Sequence, residues 1–148
     1  MQAKDIMTKK VVTLSPEMGI TEASRILLRR NISGAPVVDK KGKIVGILTE
    51  ADLISRDKNI HIPTALQLLG GVIYLSTVKG FENEFKRIAS TKVSDLMVSR
   101  VVTVKPTDSI EDIATIMSEK RIHTLPVVSG NKIAGIIGKR DIVSAIAG

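Results

Sequence analysis

The chain carries the same short text twice, and that duplication limits its fold more than any other feature. Val11-Val12-Thr13-Leu14, followed by Pro16, recurs as Val101-Val102-Thr103-Val104, followed by Pro106. Ala35-Pro36-Val37-Val38 recurs as Leu125-Pro126-Val127-Val128. Gly46-Ile47-Leu48, with Asp52 beyond it, recurs as Gly135-Ile136-Ile137, with Asp141 beyond it. Four of the five prolines belong to these matched pairs, so the repeat extends to the residues that punctuate the backbone. Two copies of one supersecondary unit, neither able to bury its apolar face alone, are expected to pack into a pseudo-twofold body with paired clefts.

Each copy reads as strand, helix, strand, strand, helix. The β-branched run Val11–Leu14 ends at Pro16, which predicts a strand. Ile20, Ala23, Ile26 and Leu27 then fall on one helical face, matched by Ile110, Ile113, Ile116 and Met117. Asp108, three residues before Glu111, predicts an N-cap with a capping-box partner. Ala35–Val38 and Lys43–Leu48, joined by Lys40-Lys41-Gly42, predict a β-hairpin. A short helix from Thr49 is expected to turn Ala51, Leu53 and Ile54 inward, with a twin running from Gly138 through Ile142 and Val143 to Ile146. The expected organisation is a first repeat at 1–56, a connecting helical insert at 57–91 and a second repeat at 92–148. The fold class is α/β in the broad sense, more closely α+β. Within the insert, Asn59–Pro63 reads as a connector, Ala65–Leu75 as an apolar segment bent at Gly70-Gly71, and Phe81–Ile88 as an amphipathic helix. Such an insert would cap the core or meet a second subunit, and a symmetric homodimer is the simplest assembly.

Composition narrows the functional classes. There is no cysteine, which excludes disulfides, thiolate metal sites and thiol nucleophiles and agrees with a cytoplasmic setting. Residues 1–7 lack the apolar core of a signal peptide. Ala65–Leu75 is too short to span a bilayer, so no membrane role is expected. The net charge of +7 raises nucleic acid as a partner. The charge is spread, however: ten basic and six acidic side chains in the first copy, eight and six in the second. Only Tyr74, Phe81 and Phe85 could stack on bases, and all three lie outside the copies. Nucleic-acid binding is therefore not the favoured role. His61 and His123 have no second ligand at metal spacing, and no nucleophile, base and orienting acid can be assembled. No metal and no enzymatic activity are expected.

The chemistry-bearing stretch is Gly46-Ile47-Leu48-Thr49-Glu50-Ala51-Asp52. A hydroxyl and a carboxylate stand three residues apart where a strand gives way to a helix. There, unsatisfied N–H groups and the helix dipole favour an anion, and an acceptor-only carboxylate can take both hydroxyls of a ribose. The same spacing also describes an N-cap and its reciprocating acid, which needs no ligand. In the second copy Gly138 replaces the threonine while Asp141 persists, which suggests a second task for the acid.

Taken together, Asp5-Ile6-Met7 and Asp95-Leu96-Met97, the Val-Val-Thr runs, Ile32–Val38 and Gly46–Asp52 make each copy resemble a cystathionine-β-synthase (CBS) domain, and the pair a Bateman module. The resemblance spans 2–56 and 92–147. It implies a stand-alone regulatory module without catalytic activity and with no required cofactor. Such a module takes AMP, ADP, ATP or S-adenosylmethionine in clefts between the repeats and signals to a regulated protein partner. By the same resemblance Asp52 and Asp141 would hold ribose hydroxyls and Thr49 would meet phosphate. Adenine would lie against the segments Ile32-Ser33-Gly34-Ala35 and Ile122-His123-Thr124-Leu125, read largely by backbone groups. Arg30, Arg121, Lys139 and Arg140 would supply positive charge. Glu50 is expected to flank the Asp52 site and disfavour a long phosphate tail there, leaving ATP to the Asp141 site. Two other classes stay open: a ligand-free interaction module for a transporter or enzyme, and a basic nucleic-acid binder.

Overall fold

A computed structural model describes residues 1–54 and 86–148. The expectations for 57–85, including His61 and the apolar segment Ala65–Leu75, lie outside the described residues. In chain order the elements are α1 (Ala3–Ile6), α2 (Ile20–Arg30), β1 (Gly34–Val38), β2 (Ile44–Thr49), α3 (Glu50–Ile54), α4 (Val93–Leu96), α5 (Ile110–Lys120), β3 (Thr124–Ser129), β4 (Lys132–Gly138) and α6 (Lys139–Ala147). A further helical stretch covers 86–90.

The long helices form where the apolar spacing predicts. α2 buries Ile20, Ala23 and Leu27; α5 buries Ile110, Ile113 and Met117. Both stop on a left-handed residue, Asn31 at φ 51° and Arg121 at φ 52°. The next residue then donates back to the last turn, Ile32 N–H to Leu27 O at 3.0 Å and Ile122 N–H to Met117 O at 3.1 Å. This closure satisfies carbonyls the helix would otherwise leave open. The N-cap of α5 is Ser109, whose side chain accepts from Asp112 N–H at 3.1 Å. Asp108, expected in that role, instead accepts from Lys105 N–H at 2.8 Å and orders the preceding turn.

β1–β2 and β3–β4 are antiparallel hairpins, each with a register shift at the matched point, Val37/Val38 and Val127/Val128. In the first turn Asp39 Oδ1 accepts from the N–H groups of Lys41 and Lys43, and Gly42 takes φ 79°. The expected strand at Val11–Leu14 is reduced to one parallel bridge, Leu14 to Val37, repeated as Val104 to Val127. Leu14 N–H donates to Pro36 O and Val104 N–H to Pro126 O, both at 3.0 Å. The prolines thus accept from the neighbouring chain without having to donate to it.

Each copy's lead-in belongs to the other copy's core. Ala3, Ile6 and Met7 pack with Val104, Ile113, Leu125 and Ile137, whereas Val93, Leu96 and Met97 pack with Leu14, Leu27, Val37 and Leu48. Hydrogen bonds repeat the exchange. Thr8 and Ile136 trade bonds of 2.9 and 3.0 Å, and Ile47 and Val98 trade two of 2.9 Å. Two glycines make room for the crossing. A Cβ on Gly46 would stand 2.5 Å from Met97 Sδ, and one on Gly135 would stand 2.6 Å from Met7 Sδ. Neither contact is compatible with a side chain at the glycine unless the methionine moves.

The final helices are more exposed than their patterns suggest. Ala51 and Ile54 of α3 face outward, and only Leu53 joins the first core as a partly buried neighbour. In α6, Ile142 is buried, but Val143 is 64% and Ile146 78% exposed. A nine-residue helix held along one edge covers only the side that touches the core.

Candidate functional site

Between the copies lies a cleft of about 450 Å³. One wall is the first copy: Thr8, Lys10 and Val12 behind α1, Leu27 and Leu28 on α2, Asn31–Gly34 after it, and Glu50 opening α3. The other wall is the second copy, with Thr124 on β3, Ile136 on β4 and the run Gly138–Asp141 where β4 becomes α6. Val12, Leu27, Leu28 and Ile32 form an apolar side, with Leu28 76% exposed toward solvent. Lys10, Lys139, Arg140, Glu50 and Asp141 supply charge. Apolar walls with a few convergent polar groups suit a small organic ligand.

Five of the residues singled out in the sequence line this cleft together: Ile32, Ser33, Lys139, Arg140 and Asp141. Arg30, Thr49, Asp52, Arg121, Ile122 and His123 do not line it. Ala35 and Leu125 are fully buried in the two cores, so their side chains cannot meet a ligand. Arg121 is exposed and caps α5 through its backbone. His123 contributes its carbonyl, which accepts from Lys139 N–H at 3.0 Å, while the next residue, Thr124, enters the cleft. Glu50, expected to flank the Asp52 site, stands instead on the wall of the cleft that contains Asp141.

The two helix starts are built differently. In the first, Thr49 N–H and the Thr49 hydroxyl donate to Asp52 Oδ2 at 2.9 and 3.0 Å, and Asp52 N–H returns a 3.4 Å bond to Thr49 Oγ1. This is the reciprocal cap that the spacing allows. In the second, Gly138 N–H donates to Asp141 Oδ2 at 2.7 Å. Asp141 Oδ1 takes no hydrogen bond among the described residues. The backbone half of the cap therefore survives without a hydroxyl, and persistence of the acid is not by itself evidence of a second role.

The missing hydroxyl has moved rather than vanished. Gly34 pairs with Thr49 across the first hairpin, and Thr124 pairs with Gly138 across the second. Each pair holds one glycine and one threonine, in opposite order. A Cβ on Gly34 would lie 2.9 Å from Thr49 Cγ2, so in the first hairpin the threonine leaves room only for glycine opposite it, whereas a Cβ on Gly138 would meet nothing closer than 3.7 Å. Thr124, only 8% exposed, places its hydroxyl 3.4 Å from Ser33 Oγ of the other copy, so the two copies meet at the cleft through a pair of hydroxyls. Sequence reasoning placed Thr124 in the segment expected against adenine but passed over Thr8 and Lys10. Nothing within either copy signals that the lead-ins cross over.

The CBS domain model matches residues 3–59 and 93–148. The chain belongs to the CBS domain family. It is similar to the uncharacterised protein MJ1426 of Methanocaldococcus jannaschii, with 34% identity over 99% of this chain and 91% of that one. Among solved structures it is similar to the CBS domain of a CBS-domain-containing membrane protein from Sphaerobacter thermophilus. That match has a TM-score of 0.76 and 32% identity, covering 97% of this chain and 86% of the other. It also resembles the CBS domain pair of protein MJ0100, solved in complex with 5′-methylthioadenosine and S-adenosyl-L-methionine. Here the TM-score is 0.73 with 28% identity, over 100% and 97% of the two chains. The α+β fold with two CBS repeats is thus shared with a pair solved in complex with adenosine ligands. No helix among the described residues is long and apolar enough to cross a membrane.

Proposed function

We propose that this CBS pair is a regulatory module that binds an adenosine-containing ligand in the cleft carrying Asp141. The observation that carries this reading is the cleft itself: both copies build it, an apolar side faces a helix start, and the half-buried Asp141 keeps one carboxylate oxygen open. Val12, Leu28 and Ile32 offer contact for a base, and Asp141 Oδ1 offers an acceptor for ribose hydroxyls. The adenosine complexes of the MJ0100 pair support this choice of ligand class. Because both walls come from different copies, a ligand would favour one relative arrangement of the repeats, and a regulated partner would respond to that shift. The exposed Val143 and Ile146 support the expectation of a homodimer, which sedimentation would check.

A thermal-shift panel tests the reading. AMP, ADP, ATP, 5′-methylthioadenosine and S-adenosylmethionine would each be compared with guanosine and cytidine nucleotides. At a hundredfold excess over Kd, a ligand that binds only the native state adds about 2.7 kcal/mol of stability. At least one adenosine compound should raise Tm measurably while GMP and CMP do not. Absence of a shift with all adenosine compounds at saturating concentration would favour an interaction module with empty clefts.

A further inference from the structure

We propose that Met7 and Met97 form a paired modification site, at which oxidation of both thioethers to the sulfoxide loosens the docking of one copy on the other. The chain has five methionines and no cysteine, so thioethers are its only oxidisable sulfur. They are not equally placed. Met1 is 69% exposed and Met117 only 8%. Met7 and Met97 lie between these extremes, partly buried and each packed on the core of the opposite copy. Their Sδ atoms fill the notches at Gly135 and Gly46, where a Cβ would stand 2.6 and 2.5 Å away. Each side chain is therefore open to a small oxidant while its sulfur serves as the plug.

The reaction needs a two-electron oxidant, here hydrogen peroxide. The sulfur lone pair attacks one peroxide oxygen and the O–O bond breaks. The second oxygen leaves as hydroxide and takes the proton of the first, giving water and a sulfoxide. A flexible apolar side chain thereby becomes polar. At the notch the new oxygen finds no spare donor on the flanking strand, because Ile136 N–H is bonded to Thr8 O at 3.0 Å and Ile47 N–H to Val98 O at 2.9 Å. An acceptor buried without a donor is destabilising. An oxygen turned toward the glycine would crowd backbone, and one turned to solvent would draw the sulfur out of the notch. Met7 also adjoins the cleft. Thr8 follows it directly, and Thr8 and Ile136, bonded to each other, both line that cleft. Displacing Met7 thus reaches the cleft wall, whereas Ile47 and Val98 beside Met97 do not line it.

A time course of the full chain in hydrogen peroxide, followed by peptide mapping with mass spectrometry and by thermal unfolding, tests this. Met7 and Met97 should each gain one oxygen after Met1 and before Met117. As they do so, Tm should fall by at least about 4 °C. The Met7→Leu/Met97→Leu double variant keeps the apolar bulk and cannot take up oxygen. It should lose most of that response, whereas Met18→Leu should keep it. If the double variant does not fold, the wild-type time course still decides, because it relates sulfoxide at these two positions to Tm. Oxidation of both methionines with Tm unchanged would overturn the proposal. So would protection of both at a dose that has already converted Met117, or a fall in Tm that persists in the double variant.

Discussion

Thr49–Asp52 and Gly138–Asp141 occupy equivalent places in the two copies, yet the first is closed on itself and the second is open. In the first, both polar groups of the threonine are bonded to Asp52 at the start of a five-residue helix bearing Glu50. In the second, glycine leaves Asp141 with a single backbone donor, and the first turn carries Lys139 and Arg140. The repeat provides two equivalent places, and the differences Thr49/Gly138, Glu50/Lys139 and Ala51/Arg140 give them different electrostatics. The lesson is that a shared motif fixes where a carboxylate sits but not which of its oxygens remains available.

The largest effect should come from changing the open carboxylate. Asp141→Asn keeps an oxygen for Gly138 N–H but removes the charge, and should weaken the adenosine ligand by tenfold or more. That corresponds to the loss of a hydrogen bond to a charged group, about 1.5–3 kcal/mol. Asp52→Asn should change affinity for the same ligand less than twofold. Equal losses in calorimetry would erase the distinction between the two starts.

The next test asks whether the copies differ only there. Gly46→Ala and Gly135→Ala each force a methyl group onto a methionine of the opposite copy, and each should lower stability by about 1–3 kcal/mol. Urea unfolding would show it, and a large imbalance between the two would mean that the asymmetry reaches the core.

The smallest effect probes the exchange of glycine and threonine across the hairpins. Gly34→Ala should cost roughly 1 kcal/mol through crowding against Thr49 Cγ2. Adding Thr49→Ser, which removes that methyl group and keeps the hydroxyl, should recover most of that cost, as a coupled pair does in a double-mutant cycle. Simple additivity would show that the two positions do not sense each other.

Much of the fold was legible in the sequence because periodicity reports local burial. Ile20, Ala23 and Leu27 could hardly serve any purpose other than one buried helical face, and the hairpins follow from β-branched runs joined at glycine turns. The α3 and α6 surfaces were misread because apolar identity does not say whether a neighbour is present. Val143 and Ile146 share the chemistry of Ile142 but not its contacts. The site was legible in part. Asp141, Lys139 and Arg140 stand out as charged groups at a helix start, and Ile32 and Ser33 as the segment before a strand. Lys10 and Glu50 were not assigned to this cleft because their place there depends on how the copies are docked, which no single copy encodes. Thr124 was legible as part of the segment expected against the base, but not the approach of its hydroxyl to Ser33, which again depends on how the copies are docked.

The crossing of the lead-ins has a consequence for modularity. A chain severed midway would leave each portion holding the other's plug: Met7 without the notch at Gly135, Met97 without the one at Gly46. Neither portion could complete its interior except by borrowing from a second molecule. The two portions are thus bound by mutual dependence, and exposed residues such as Lys139 can differ between them while the paired notches hold both in place.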